Sequence, residues 1–230
     1  MAARLTIDPN VRQCYNHGLI MEIKWLGHSC FRLKGKSATV VTDPYSPDFG
    51  YTLGKVSADI VTVSHQHPGH DNIAAVSGTH RIVQGPGEYE ICDIIIIGIA
   101  AFHDDKKGDL RGKNTAYLME IDEISVCHLG DIGHQLTDDE VEELGVVDIL
   151  LLPVGGKSTI GAVTAAQIVR QLDPKIVIPM HYQTPDHDGD LAPVEKFLKE
   201  MGKDAVEPLP KININRSNLP PTTQVVVLEY

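Results

Sequence analysis

The order of strand and helix signals along the chain is the feature that most restricts its fold. The part up to Leu129 is dominated by strands joined by short turns, whereas the part after it alternates strands with helices. In the run Ile94–Ile97 every residue is β-branched, which disfavours a helix and favours a strand. A strand meander followed by alternating strands and helices predicts a layered α/β sandwich, with sheets inside and helices outside.

The predicted strands are short, rich in apolar or β-branched residues, and bounded by turn residues. They cover Met21–Leu26, Cys30–Leu33, Ala38–Thr42, Asp59–Ser64, Arg81–Gln84, Ile91–Ala101, Thr115–Ile121, Ile124–Leu129, Val147–Val154, Lys175–Met180 and Gln224–Glu229. Helical stretches are predicted at Ile73–Ser77, from the capping box at Thr137 to Leu144, at Gly161–Leu172 and at Pro193–Met201. No change of composition marks a linker, so we expect a polar extension over residues 1–20 and one domain over residues 21–230.

Charge and cysteine usage restrict the partners and the compartment. The 230 residues carry a formal net charge of −11, which disfavours binding to nucleic acid or to an anionic membrane surface. The chain has no apolar run near the ~20 residues that span a bilayer and no apolar signal-peptide segment at its start. Its four cysteines are widely spaced, without a C-x-x-C pair, which is typical of a reducing compartment. We therefore expect a cytoplasmic protein that acts on a small molecule.

Three of the 11 histidines follow a predicted apolar strand within a few residues of one another. In an extended chain, His65 and His67 present both rings to one face, and the turn at Pro68 and Gly69 lets His70 approach from another direction. Neutral imidazoles that converge on one point suit a divalent ion such as zinc. The cluster therefore predicts a metal site, and the alternative is a core enriched in histidines that bind no metal.

Around this cluster, the segment VTVSHQHPGHDN resembles the metal-binding signature H-x-H-x-D-H of the metallo-β-lactamase fold superfamily. The resemblance runs from about Met21 to the end of the chain. Further segments are similar to those of the superfamily's lactonase-like branch of small metal-dependent hydrolases: WLGHSCFRL, VTDPY, RGKNTAYLME, HLGDIGH, DILLLPVGG and VIPMHY. The resemblance implies a four-layer αβ/βα sandwich, with a metal site at one edge between the two sheets.

The resemblance also implies a set of site residues. A first metal would be bound by His65, His67 and His103, a second by His70 and His181, with Asp131 bridging the two ions and acting as the catalytic residue. Asp43 would support the site by hydrogen bonding, and His28 would lie beside it. His134 follows Asp131 closely in the sequence and is for that reason a candidate for a place near the pocket. Each of these residues has an alternative interpretation: His103 as a solvated loop residue, Asp131 as a turn residue and His181 as a strand cap. For His103 the ligand interpretation is favoured, because it follows a buried strand as His65 does. His128 is interpreted as a core histidine, and His17, His80 and His187 as exposed loop residues.

One position departs from the superfamily's signature. Gly69 stands where the aspartate that helps to hold the second metal is expected. The loss of a carboxylate beside a dication should weaken the second site. Asp71, directly after His70, is a candidate replacement, although it is displaced by two positions from the expected aspartate. The chain could therefore hold one ion or two, Zn²⁺ or Mn²⁺. The alternative function is a non-catalytic metal-binding protein with a degraded second site.

A bound divalent ion lowers the pKa of its water and polarises the scissile bond, so the implied activity is hydrolysis of an ester, lactone or phosphoester. Lys157 is a candidate contact for an anionic substrate, although no substrate-binding residue is assigned. The loops Phe49–Lys55, Gly85–Glu90 and Gln183–Asp190 would shape the pocket. Members of the branch often assemble, so the resemblance also allows a homo-oligomer.

Overall fold

The computed structural model describes residues 20–187 and 190–230. The predicted N-terminal extension, with Cys14 and His17, lies outside these residues apart from Ile20. Fifteen strands and three α-helices are present in the described part. The strands are β1 (Met21–Trp25), β2 (Phe31–Lys34), β3 (Thr39–Thr42), β4 (Val56–Ser57), β5 (Ile60–Val63), β6 (Val76–Ser77), β7 (Arg81–Gln84), β8 (Gly87–Ile91), β9 (Ile94–Phe102), β10 (Lys113–Ile121), β11 (Ile124–His128), β12 (Ile149–Pro153), β13 (Ile176–Met180), β14 (Ile212–Ile214) and β15 (Gln224–Val225). The α-helices are α1 (Asp138–Leu144), α2 (Ala162–Leu172) and α3 (Val194–Glu200).

Two sheets form the centre of the described structure. The first sheet has the order β14-β1-β2-β3-β5-β7, antiparallel from β14 to β3 and parallel from β3 to β7. The second sheet has the order β15-β13-β12-β11-β10-β9-β8, parallel from β15 to β11 and antiparallel from β11 to β8. β4 and β6 form a separate parallel pair.

The main core lies between the two sheets and continues under the helices. Val40 and Ile60 of the first sheet belong to the same buried cluster as Ile96 and Met119 of the second sheet. Ala165 and the other apolar residues of α2 extend this cluster to the outer face of the second sheet. The architecture is the predicted αβ/βα sandwich. Burial of apolar surface between its layers stabilises it by about 25 cal/mol for each Å² removed from water.

The outer layer of the first sheet is built differently from that of the second. Val41 and Val61 alternate with core-facing residues, so they point away from the second sheet, where Tyr45, Tyr51 and Val76 cover them. Among the described residues this cover consists of turns, 3₁₀-helices and the β4–β6 pair. A layer of irregular segments brings loop residues close to the edge at which the strands end.

Several boundaries differ from the sequence prediction. The predicted strand Ile91–Ala101 is a hairpin of β8 and β9, because Cys92 and Asp93 adopt left-handed φ values of 53° and 60° without a glycine. β8 also replaces most of the predicted loop Gly85–Glu90. The predicted helical stretch Ile73–Ser77 is a 3₁₀-helix at Ile73–Ala75 followed by β6.

At the end of the chain, the predicted strand Gln224–Glu229 is shortened to β15, and β14 had not been predicted. None of the helices in residues 20–187 and 190–230 combines the length and the apolar character that crossing a bilayer requires.

Candidate metal centre

The candidate site residues lie where strands end, at one edge of both sheets. His28 follows β1, Asp43 follows β3, and His65, His67 and His70 follow β5, all in the first sheet. His103 follows β9, Asp131 follows β11 and His181 follows β13, all in the second sheet. A hydrogen bond of 2.9 Å from the backbone N of Thr115 to the carbonyl of Ser64 joins the two sheets beside the site. The strand ends therefore bring distant parts of the sequence together on rigid supports.

Asp131 lies at the centre of the site. Its Oδ2 is 3.2 Å from Nε2 of His70, 3.4 Å from Nε2 of His103 and 3.3 Å from Nε2 of His181. Burial alone would raise the pKa of this carboxyl, but the adjacent imidazoles of His181 and His70 hold it well below its usual range. The carboxylate is therefore ionised in the middle of a group of imidazoles, as a bridging ligand requires.

The remaining histidines of the signature join this group. His65, His67 and His70 each offer a nitrogen within 4.8 Å of the other two. The same distance limit holds for a second group, made of His65, His103 and Asp131. These two groups share His65 and contain five of the six predicted ligands. The sixth, His181, lies 3.3 Å from Asp131 and belongs to a further group with His70, so the ligands form overlapping groups rather than two separate sets. Asp71, the candidate replacement for the missing carboxylate, belongs to none of the candidate ligand groups found among the described residues.

Asp43 orients two of the imidazoles, that of His70 directly and that of His65 through Ser64. Its carboxylate accepts hydrogen bonds from the backbone N and the Oγ of Ser64, at 2.8 and 2.6 Å, and lies 2.8 Å from Nδ1 of His70. Since the Ser64 hydroxyl donates its one proton to Asp43, it accepts from Nδ1 of His65 at 3.0 Å. Both rings therefore carry their neutral-state proton on Nδ1, and their Nε2 atoms are left with lone pairs for a metal.

The site fits a divalent cation. Buried ring nitrogens without a hydrogen-bond partner among the described residues include Nε2 of His65 and His70 and Nδ1 of His103 and His181. Each such atom costs about 1–3 kcal/mol, so a cluster of them indicates a ligand that binds there. Nε2 of His70 lies 3.2 Å from Oδ2 of Asp131, a separation at which both atoms can be ligands of one ion. Neutral imidazoles with a carboxylate are a donor set for zinc and similar metals.

The protonation of the histidines differs with their surroundings. Burial lowers the pKa of His65 to about 3 and also lowers that of His67, which keeps both rings neutral. Burial would lower the pKa of His70 as well, but the carboxylates of Asp131 and Asp43 outweigh it and raise that pKa to about 10. A cation that binds His70 must therefore displace a proton at neutral pH.

Three of the site residues have backbone conformations of low probability. His28, Asp43 and His181 have φ values of 52°, 40° and 51°, in the left-handed region that residues other than glycine rarely adopt. Each costs roughly 1–2 kcal/mol, which the surrounding hydrogen bonds must offset. Strain of this kind at three site residues indicates that their directions matter to function.

Comparison with known proteins identifies the family. Residues 22–181 match the sequence profile of a β-lactamase superfamily domain. The chain belongs to the β-lactamase superfamily. A UPF0173 protein of Pyrococcus furiosus is 32% identical over 80% of this chain and 91% of its own length. A UPF0173 metal-dependent hydrolase of Pyrococcus horikoshii is 28% identical over 72% of this chain and 86% of its own length.

A solved structure agrees with these relatives. A protein of Thermotoga maritima, described as a candidate Zn-dependent hydrolase of the metallo-β-lactamase superfamily, superimposes with a TM-score of 0.77. It shares 40% identity, and the match covers 91% of this chain and 98% of the Thermotoga chain. The predicted membership of the metallo-β-lactamase superfamily is confirmed, and this β-lactamase superfamily member is a metal-dependent hydrolase.

In this superfamily member the site opens into a pocket of about 600 Å³, whose lining includes the candidate ligands, Arg111 and Lys157. The guanidinium of Arg111 donates to the carbonyl of Lys157 at 3.2 Å, and the Lys157 ammonium pairs with Asp190 at 2.5 Å. Phe49 and His187, from two of the predicted rim loops, also line the pocket. Two cationic side chains thus line the same pocket as the candidate metal ligands, one of them paired with Asp190.

Two other predicted histidines have structural contacts instead. Nε2 of His134 accepts a hydrogen bond of 3.2 Å from the backbone N of Phe102, and His134 contributes nothing to the pocket lining. The ring of His134 therefore holds the end of β9, directly before the pocket-lining His103. His128 has both nitrogens bonded to backbone, with Ser29 O at 2.8 Å and Gly130 N at 3.2 Å, as expected for a core histidine.

Sequence reasoning missed three polar residues that support the site. Asn114 accepts from the backbone N of Asp131 at 2.9 Å, and Ser29 lies with its Oγ 3.4 Å from the Asp131 carboxylate. Asp104 accepts four backbone N–H groups of the loop that carries Arg111. Only Asn114 and Ser29 fall in segments with a recognisable motif, RGKNTAYLME and WLGHSCFRL. For Asp104, the only feature of the sequence that could have indicated a supporting role is its position directly after the candidate ligand His103.

Proposed function

We propose that this protein hydrolyses an ester, lactone or phosphoester of a small anionic molecule, with one or two Zn²⁺ or Mn²⁺ ions. The observation that carries the proposal is the Asp131 carboxylate within 3.4 Å of three imidazoles, in a buried group that opens into a pocket. When bound there, a divalent cation supplies an activated water and polarises the oxygen of the scissile bond.

The protein's own residues position the reaction. Ser29 and Asn114 hold Asp131 in place, so that its carboxylate can accept a proton from the attacking water and return it to the leaving group. Asp43 keeps the proton of His70 on Nδ1 and so keeps Nε2 directed at the site. The mostly buried imidazoles exclude bulk water from one side of the reacting centre.

The rim of the pocket supports a small, anionic substrate. A volume of about 600 Å³ lies within the range of about 300–1,000 Å³ that is usual for small-molecule sites. Arg111 and Lys157 offer positive charge at this rim, in a chain whose net charge is −11. A local cationic rim on an acidic protein favours a small anion over nucleic acid.

We also propose a cytoplasmic location. Light scattering tests whether the protein forms a homo-oligomer.

Hydrolysis is tested on the full chain loaded with Zn²⁺ or Mn²⁺. Lactones, nitrophenyl esters and bis(nitrophenyl) phosphate are the substrates, and His67→Ala and Asp131→Asn are the variants. We expect turnover of at least one class and a loss of at least 100-fold in kcat/KM in both variants. His80→Ala, far from the site, is the control and should retain activity. Bound metal with no turnover of any class would favour the non-catalytic alternative.

The anionic preference is tested separately with Arg111→Gln. We expect KM for a carboxylate-bearing ester to rise about tenfold, with kcat and the KM of a neutral ester little changed, since each charge contact contributes roughly 1–2 kcal/mol. Arg81→Gln, an exposed arginine on β7, is the matched control. Equal effects on charged and neutral esters would contradict the role of Arg111.

A further inference from the structure

The space beside Gly69 is filled by another side chain. A β-carbon added at Gly69 would lie 3.0 Å from Nε2 of His28 and 3.0 Å from the ring of Phe49. A side chain at this position would therefore crowd the His28 imidazole and the Phe49 ring. The absence of a side chain at position 69 therefore makes room for the ring of His28.

His28 is buried without any hydrogen bond to its ring. The residue is 3% exposed, and neither Nδ1 nor Nε2 has a hydrogen-bond partner among the described residues. His128, also buried, shows the alternative, since both of its nitrogens are bonded to backbone. A structural histidine would be expected to resemble His128, whereas the buried, unpartnered nitrogens of His28 leave one available to bind a cation.

The ring of His28 faces the second metal position. His28, His70 and His181 each offer a nitrogen within 4.8 Å of the other two. The ring of His28 lies 4.9 Å from that of His70 and 4.4 Å from that of His181, between centroids. Its carbonyl accepts hydrogen bonds from the backbone N of His181 at 3.1 Å and from Nε1 of Trp25 at 3.0 Å. The turn that carries His28 is thus fixed against the loop that carries His181.

We propose that His28 is a ligand of the second cation, in the place left by the missing carboxylate. This inference rests on the proposed metal centre. The second position then has three imidazoles, from His28, His70 and His181, together with Asp131. Exchange of a carboxylate for a neutral imidazole makes the donor set richer in nitrogen, which favours Zn²⁺ or Co²⁺ over Mn²⁺ at this position.

The first test measures metal binding by His28→Asn. Asparagine is chosen because it tolerates the left-handed φ of 52° at this position, and its amide is a poor ligand for zinc. We expect wild-type protein to bind two Zn²⁺ ions and the variant to bind one of them at least tenfold more weakly. The Co²⁺-loaded variant should also lose part of the visible absorption of the wild type. His80→Asn controls for the loss of a histidine elsewhere.

The second test restores the carboxylate. In the double variant His28→Asn/Gly69→Asp the second ion should return, with tighter Mn²⁺ binding than in wild type. Gly69→Asp alone should weaken the second ion, because its β-carbon would crowd His28. Unchanged stoichiometry and Co²⁺ spectrum in His28→Asn would overturn the inference.

A third measurement needs no variant and so does not depend on its folding. An anomalous map of Zn²⁺-loaded wild-type crystals should place one ion within about 2.3 Å of a His28 nitrogen. Ions bound at the other ligands but far from His28 would overturn the inference and leave the proposed hydrolase intact. Absence of any ion from the whole site would overturn both.

Discussion

The candidate metal ligands are oriented by residues that would touch no metal themselves. Asp43 is fully buried and connects Ser64, His65 and His70 through hydrogen bonds. An amide in its place can donate to Nδ1 of His70, which would move the ring proton to Nε2 and remove the lone pair that faces the metal. At the scale of single residues, orientation of the ligands is therefore as important as their identity.

For Asp43→Asn we expect metal affinity to fall about 10- to 100-fold, because the variant stabilises the wrong tautomer of His70. Zinc titration with a competing chelator measures the affinity. Asp59→Asn is the matched control, since Asp59 also accepts a backbone N–H, from Thr39 at 2.8 Å, but lies away from the site. An affinity equal to that of Asp59→Asn would show that Asp43 does not orient His70.

Asp104 gives a prediction with a defined pH dependence. Burial alone would raise its pKa, but the four backbone N–H groups that it accepts outweigh this and lower the pKa to about 2. Asp104→Asn loses one acceptor oxygen and should destabilise the protein and raise KM through the loop of Arg111. Because the folded pKa is depressed, the wild-type advantage should be complete above the usual pKa of about 3.8 and decline as pH falls toward 2.

Urea unfolding between pH 3 and pH 7 measures this effect, with the exposed neighbour Asp105 changed to Asn as the control. A difference between wild type and Asp104→Asn that does not decrease at acid pH would contradict the assignment.

At the scale of elements, the site depends on the close approach of strand ends. Gly133, in the loop after β11, donates its N–H to the carbonyl of Phe102 at 2.9 Å. A β-carbon there would lie 2.3 Å from the carbonyl carbon of His103 and 2.4 Å from the backbone N of Asp104. No side chain fits between the two segments without displacing His103.

We expect Gly133→Ser to cost about 1–3 kcal/mol of stability and to weaken metal binding, since His103 must move. Gly161→Ser is the matched control, because a β-carbon at Gly161 has no atom within 4 Å and serine is a good N-cap for α2. Thermal unfolding and zinc titration measure both effects. Equal stability of the two variants would contradict the close packing at Gly133.

The sequence allowed most elements of this fold to be predicted, because alternation and β-branching specify strands directly. It did not reveal the β8–β9 hairpin, whose turn at Cys92 and Asp93 contains neither glycine nor proline. β14 is only three residues long and pairs with β1 from a distant part of the chain, so it carries no local signal. Short elements that depend on tertiary pairing are the ones that periodicity cannot detect.

The same distinction applies to the site. Strand ends followed by histidine, together with the resemblance, placed all six ligands in the region where the structure brings them together. They did not predict His28 as a candidate ligand. The contact between its ring and Gly69 joins distant parts of the sequence and is seen only in the folded structure. Nor did the sequence show that His134 accepts a hydrogen bond from Phe102.

At the scale of the whole molecule, the proposed metal centre joins the two sheets. His65, His67 and His70 come from the first sheet, whereas His103 and His181 come from the second. A bound cation would therefore link the two halves of the sandwich and stabilise it as a whole. The helices on the outer face of the second sheet contribute no ligand to the candidate groups found in the described residues.

Removal of the metal with a chelator should lower stability through mass action. Free metal at 100 times its Kd contributes about 2.7 kcal/mol, which corresponds to a Tm change of roughly 5–11 °C for a chain of this size. Hydrogen exchange should increase at the ends of β5, β9 and β13, and much less in α2. Differential scanning calorimetry with and without zinc checks the magnitude, and an unchanged Tm would show that no cation links the sheets.

The central claim is that imidazoles from both sheets and Asp131 bind a divalent cation together. Anomalous diffraction at the zinc edge from zinc-loaded crystals tests this most directly. The account predicts a peak within about 2.3 Å of Asp131 Oδ2 and of histidine nitrogens from both sheets. Zinc peaks only at surface positions, with none among His65, His70, His103 and Asp131, would contradict it.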